Sequence, residues 1–414
     1  LMTLVRPGPA APVAPTWTVT NTAIEQMQKR ISANPADPVA YAAYANLGSL
    51  YLQKARETGD PSFYASAEQA LRKSLELDGS NPLAAVTMGG LQLARHEFVA
   101  ALEWGDKAVA LAPYAHVAHG IRGDALVELG RYDEAIEAVQ TMVDLRPDLS
   151  SLSRASYLRE LHGDLPGAIE AMGRAVNAGN QQSEATNWAR VQLGTLYFQT
   201  GDLAAAEREY RLTLANLPGY APAQAGLGRV AAAKSDFTQA IEHYTHAAAV
   251  APLPEYAAAL AEVNRAAKND REAAKQDELV RAMTKLQRAG GVDVDLDLAL
   301  FEVDRAADRV AAERALETAR GAHAVRPLSV HAADVLAWAL YKAGRSTEAL
   351  PYAREALRLG SQDAVTLYHA GAIALGAGDR EAARTYLQGA LAGNEQFHPR
   401  HAPEAKRLLE QLGR

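Results

Sequence analysis

The 414-residue chain contains no cysteine. That excludes disulfides, thiol catalysis, iron–sulfur clusters and cysteine-ligated zinc. Aromatic residues make up only 6% of the chain, too few for a β-sandwich built on aromatic and β-branched strands. No run approaches the roughly 18–20 consecutive apolar residues that a membrane-spanning helix needs. Basic residues are not in excess: 42 Lys and Arg face 49 Asp and Glu, a net charge of −7. A general nucleic-acid binder would normally carry a basic stripe, so no nucleic-acid partner is expected. Also missing are G-x-S-x-G, H-E-x-x-H and a Walker loop, and Gly89-Gly90 and Gly290-Gly291 are isolated doublets without phosphate-cradle spacing. The expectation is a non-enzymatic chain without a cofactor.

What is present is a hydrophobic fraction of 48%, rich in alanine, with 22% charged residues. That composition suits closely approaching helices and argues against wholesale disorder. The first residues, LMTLVRPGPAAPVAPTW, carry Pro7, Pro9, Pro12 and Pro15. Such a density of proline cannot be helical and predicts an extended Pro/Ala-rich tether over 1–19. A tether of this kind suits the stretch after an export signal, so an exported chain (periplasmic, cell-surface or extracellular) is favoured over a cytoplasmic one.

Beyond residue 20 one pattern recurs. It is clear in VAHGIRGDALVELGRYDEAIEAVQTMVDLRP (117–147), ARVQLGTLYFQTGDLAAAEREYRLTLANLP (189–218) and AADVLAWALYKAGRSTEALPYAREALRLG (332–360). Apolar residues at three- and four-residue spacing define one helix face and run up to a glycine: Gly130, Gly201, Gly344 or Gly378. An alanine follows each of these glycines five residues later. The glycine suits a left-handed helix end, and an Asp beside it can cap the next helix. Pro113, Pro147, Pro218, Pro252 and Pro327 stop the second helix. Each unit is therefore a helix hairpin. Starts fall at residues 41, 82, 116, 149, 187, 221, 255, 296, 330 and 364, and five of the nine intervals are 34 residues. The longer intervals locate insertions at 54–69, 177–184 and 275–295. The seventh and eighth units match worst and are the expected place for a bend or for flexibility.

The pattern resembles the tetratricopeptide repeat family. The resemblance is carried by Tyr44, Leu47, Gly48 and Tyr51; by Leu193, Gly194, Tyr197, Gly201, Ala206, Tyr210 and Pro218; and by Leu227, Gly228, Ala240, Tyr244, Ala247 and Pro252. It implies an all-α, right-handed superhelical solenoid of antiparallel helix hairpins, about ten repeats with terminal capping helices. The expected organisation is a tether (1–19), an N-terminal capping helix (20–40), repeats one to seven (41–270), an irregular long helix and loop (271–295), repeats eight to ten (296–397) and a C-terminal capping helix (398–414).

In the family the first helices of the repeats line a concave groove that takes a protein or peptide. Mapped onto this chain, the groove positions are Asp124, Val127, Glu128, Tyr157, Glu160, Trp188, Val191, Thr195, Phe198 and Arg229, with His331, Asp334, Trp338, Tyr341 and Tyr368 further on. Aromatic and charged side chains together are what binding hot spots are made of. The alternative for Trp188 and Trp338 is packing between helices. The family's subtype that grips a carboxylate tail uses Lys at a fixed groove position. Here that position is held by Ala45, Val86, Gly120, Ser153, Val191, Ala225, Ala259, Leu300, Asp334 and Tyr368, so this clamp is not expected. The implied function is a protein-interaction scaffold. The alternative is a structural subunit of an envelope or extracellular filament, stacking head to tail between copies.

Three H-x-x-H pairs stand out: His116/His119, His243/His246 and His398/His401. On a helix the first two could share a divalent ion, but no third ligand follows at matching spacing, so no metal is expected and surface or groove histidines are the better reading. Pro399 argues against a helix across the third pair. Asp293, Asp295 and Asp297 resemble the start of a calcium loop, yet Leu298 stands where glycine is needed. An acidic helix start is the better reading.

Overall fold

A computed structural model describes residues 18–34, 37 and 39–413. Among these residues there are 22 helices. The lone α1 (Thr18–Ala33) opens the chain. It is followed by α2 (Ala40–Thr58) with α3 (Ser62–Leu77), α4 (Pro82–Ala94) with α5 (Phe98–Leu111), α6 (His116–Glu128) with α7 (Tyr132–Leu145), α8 (Leu149–Leu161) with α9 (Leu165–Ala178) and α10 (Glu184–Gln199) with α11 (Leu203–Asn216). The second half pairs α12 (Ala221–Ala233) with α13 (Phe237–Val250), α14 (Pro254–Ala266) with α15 (Asp270–Ala289), α16 (Asp295–Arg305) with α17 (Arg309–Val325), α18 (Val330–Lys342) with α19 (Ser346–Ala356) and α20 (Ala364–Gly376) with α21 (Arg380–Gly393), and α22 (His401–Gly413) closes it. Each helix packs on its hairpin partner and on the next hairpin, so the pairs stack into a right-handed solenoid.

The tether expected up to residue 19 lies outside the described residues through residue 17, and α1 already begins at Thr18. The insertion at 275–295 is mostly helix: α15 runs 20 residues before the Gly290-Gly291 turn.

Close packing explains the small residues. Tyr210 of α11 is fully buried, its ring held between Gly194 of α10 and Gly226 of α12. A Cβ at either glycine would stand 2.5–2.6 Å from the ring, so any larger residue would push the helices apart. Gly130, Gly201, Gly344 and Gly378 end their first helices with φ between 77° and 87°, in the left-handed region. Asp202 and Asp379, beside two of them, accept from the backbone N–H of Ala205 and Ala382 and cap the next helices, each worth about 1 kcal/mol.

The superhelix closes on itself. Successive superhelical turns meet along a seam that joins the hairpin turns of the second to fifth pairs to the inter-hairpin loops lying 196 to 198 residues later. His96 Nδ1 donates to the Asp293 carbonyl at 2.7 Å, and the Asp293 N–H donates to the Arg95 carbonyl at 2.9 Å. The Val330 N–H donates to the Tyr132 hydroxyl at 3.1 Å, and Arg358 donates to the Leu328 and Gly130 carbonyls at 2.8 and 3.3 Å. Asn394 Nδ2 donates to the Phe198 carbonyl at 2.9 Å. At Gly130, Gly163 and Gly201 the opposing backbone comes so close that a Cβ would collide with it. The concave face is thus a lumen walled at the side, where an open inner curve was expected.

Candidate functional site

The first helices of the pairs face this lumen, and helical spacing aligns their side chains. On α8, Arg154, Tyr157 and Glu160 follow at three-residue steps; on α10, Glu184, Trp188 and Gln192 follow at four. Arg154 grips the Asp124 carboxylate of α6 with two bonds of 2.8 and 2.6 Å, and its third nitrogen reaches Ser150 Oγ at 2.6 Å. Glu160 accepts from Gln199 Nε2 at 2.6 Å, and burial holds its carboxyl above the usual range. Glu184 accepts from the Tyr220 hydroxyl at 2.6 Å. Tyr157 and Trp188 stand exposed inside the lumen at 37% and 43%, available to an occupant. The Tyr157 hydroxyl lies 3.4 Å from His331 Nε2 of α18, on the next superhelical turn. Burial raises the tyrosine's pKa, so the phenol stays neutral.

Two cavities of about 650 and 550 Å³ occupy the lumen and share Asp124, Glu128 and Tyr157. The larger adds Val127, Glu160, Glu184, Trp188, Arg56 and Arg154; the smaller adds Asp293, Asp297, Arg326, His331 and Asp334. Seven carboxylates therefore face three guanidinium groups. Arg154 is engaged with Asp124, and Arg326 lies 3.4 Å from Glu128. Glu160, Glu184 and Asp297 have no ion-pair partner among the described residues, nor does Arg56.

Other expected groove residues are occupied by packing. Val191 and Phe198 are buried, and Arg229 lies over the Phe198 ring. The Thr195 hydroxyl is 3.2 Å from the Val191 carbonyl and 3.3 Å from the Tyr210 hydroxyl.

Trp338 and Tyr368 are 3% and 5% exposed. Trp338 Nε1 donates to Asp304 at 2.9 Å, while Tyr341 and His369 stack on its ring at 5.0 and 4.2 Å. Asp334 accepts from His369 Nδ1 at 3.1 Å. Burial alone would lower the His369 pKa, but Asp334, with Asp304 and Asp363 behind it, outweighs burial and the pKa is raised.

Here the chain fills its own concave face. The segment before α22 brings Arg400 to Asp304 at 2.8 Å and to Glu262 of α14 at 3.4 Å. Arg305 joins Glu262 to Asp277 at 2.8 and 3.1 Å, and Arg265 also pairs with Asp277. The weakly matching seventh and eighth units therefore carry a buried charge network.

The H-x-x-H pairs do not converge. His116 lies 3.2 Å from Asp148, whereas His119 Nε2 donates to the Pro113 carbonyl at 2.8 Å. His243 Nδ1 contacts Gln224 at 2.8 Å, and His246 points elsewhere, near Gly219. Among the described residues no group of three His, Asp or Glu side chains is placed to hold a metal. His398 and His401 stack at 4.2 Å, and His398 Nδ1 accepts from the Arg400 and His401 N–H groups at the start of α22. Burial, then the Arg400 charge, pushes His398 down to about 3; burial, then His398, lowers His401 as well. The Asp293–Asp297 run is a helix start: Asp293 accepts from the Asp295 N–H at 3.0 Å, and Asp295 and Asp297 sit in the first turn of α16.

Sequence reasoning missed Arg56, Arg154, Glu184, Arg326 and Arg400, and read Asp297 only as part of an acidic helix start. Arg154 and Glu184 carry a usable signal, since they lie one helical turn before Tyr157 and Trp188. The others reach their neighbours in the site from remote points of the chain, which local spacing does not reveal.

Stacked hairpins with inward-facing first helices define an all-α solenoid. The family model described as tetratricopeptide repeat matches residues 119–184, 191–254 and 304–364. These three stretches carry tetratricopeptide repeats, and the chain shares that family's helix-hairpin solenoid. No curated protein matches it. Among solved structures it is similar to the human IFIT1 dimer with PPP-AAAA, at 14% identity over 82% of this chain and 78% of that one, with a TM-score of 0.51. It also matches a tetratricopeptide repeat protein from Parabacteroides merdae, at 15% identity over 65% of this chain and 92% of that one, with a TM-score of 0.43. These likenesses concern the fold.

Proposed function

We propose that the chain is a non-enzymatic scaffold that holds a protein or peptide segment inside the lumen of its solenoid. The observation that carries this reading is the pair of connected cavities with Tyr157 and Trp188 exposed within them. Large flat rings presented at the centre of a concave surface give contact area at low cost in side-chain entropy. Arg154, locked onto Asp124 and Ser150, keeps that wall pre-organised, which lowers the ordering cost of binding. A lumen with more carboxylates than guanidiniums repels phosphate backbones, which favours protein over nucleic acid.

The test places a photo-crosslinking residue at Trp188 and, separately, at Val99, an exposed residue of α5 that lines neither cavity. Illumination in the native host should yield a defined protein adduct from position 188 and none from position 99. Adducts from position 99 alone would move the interaction to the outer surface and overturn the reading.

A further inference from the structure

We propose that the segment the lumen accepts is cationic: an extended stretch of chain whose lysine or arginine side chains pair with Glu160, Glu184 and Asp297. This rests on the scaffold reading above and adds the chemistry of the occupant.

Three observations carry it. Among the described residues those three carboxylates line the two connected cavities without an ion-pair partner, and of the three guanidinium groups there only Arg56 is unpaired. The lumen therefore lacks positive charge that an occupant could supply. Next, the exposed rings stand beside these groups: Trp188 is one helical turn from Glu184, and Tyr157 is one turn from Glu160. An ammonium or guanidinium held between a ring face and a carboxylate gains from both. Finally, the seam closes the side of the solenoid, with Tyr132 on Val330, Arg358 on Leu328 and Asn394 on Phe198. That side wall keeps a folded domain out, whereas cavities of about 650 and 550 Å³ suit a slender extended segment. The raised Glu160 pKa agrees, because burial disfavours the charged carboxylate and a cation beside it would offset that.

The experiment uses the full chain and three fluorescent 12-residue peptides of one design, in which every third residue is Lys, Glu or Gln. Fluorescence anisotropy should rank the Lys peptide tightest, with affinity falling as salt rises. The E160Q/E184Q double variant should weaken it about tenfold, as expected for two ion pairs of roughly 0.7 kcal/mol each, with the thermal melt unchanged. Should that variant melt early, Asp297→Asn provides the same reading with an expected loss of about threefold. Equal or tighter binding of the Glu or Gln peptide would overturn the cationic occupant and leave the scaffold standing. So would a wild-type affinity for the Lys peptide in a well-folded variant. No binding by any peptide, together with no adduct from position 188, would overturn both.

Discussion

The two ends of the concave face use the same helix positions to opposite ends. On α8 and α10 the inward residues Tyr157 and Trp188 meet open space. On α18 and α20 the inward residues Trp338 and Tyr368 meet the chain itself: His369, His401 and the segment carrying Arg400. One face is left for an occupant, and the other already has one. A concave aromatic is thus accessible to a partner only where the rest of the chain leaves it uncovered.

The largest effect should separate the two tryptophans. Trp338→Ala empties a buried, fully packed site and should cost about 3–5 kcal/mol of stability. Trp188→Ala should cost less than about 1 kcal/mol while weakening peptide binding. Denaturant titrations of both variants check this, and equal losses would erase the distinction.

A second effect concerns the seam. Gly130 and Gly378 both have positive φ, 77° and 87°, so alanine at either costs about 1–2 kcal/mol for the left-handed backbone. Only at Gly130 would the new Cβ strike the opposing turn, at the Leu328 backbone; around Gly378 nothing lies within 4 Å. Gly130→Ala should therefore cost more than Gly378→Ala and raise the radius of gyration seen by small-angle X-ray scattering. Identical behaviour would mean that the seam does not hold in solution.

Acid should loosen the filled end before the open one. His398 and His401 are neutral in the folded chain, with pKa values pushed below the ordinary 6.5. The unfolded chain takes up their protons as pH falls through 6.5, so stability declines from there towards the folded pKa of about 3. His369, with its pKa raised by Asp334, acts in the opposite direction: its contribution is complete below 6.5 and lost as pH rises through its folded pKa. Asp304, Arg305, Lys342, Tyr368 and Arg400 face the same cluster. Two depressed histidines against one raised predict a lower melting temperature at pH 5 than at pH 7, with the difference reduced in His401→Phe.

The smallest effect is a gain. Ser235 and Lys268 hold φ of 60° and 63° at hairpin turns where other pairs have glycine. Ser235→Gly should stabilise by up to about 1 kcal/mol in a thermal melt, by removing left-handed strain.

Much of the scaffold was legible in the chain itself. Helix starts expected at 82, 116, 149, 221, 330 and 364 coincide with those of α4, α6, α8, α12, α18 and α20. They are visible because proline, glycine and apolar spacing act within one or two turns of chain. The seam was not legible, since it results from many small rotations between hairpins, summed until residues almost 200 apart meet. The same limit explains why Trp188 and Trp338, alike in local pattern, could not be told apart. The Arg400–Asp304–Glu262 contacts depend on where the chain end returns, and no periodicity encodes that.

The central claim, an open and cation-seeking first stretch of lumen beside a self-filled second, is tested most directly by ¹⁹F NMR of the full chain labelled with 5-fluorotryptophan. On adding the Lys peptide, the Trp188 resonance should shift or broaden while that of Trp338 stays in place, and the Glu peptide should move neither. A Trp338 resonance that responds as Trp188 does, or a Trp188 resonance indifferent to the Lys peptide at saturation, would contradict it.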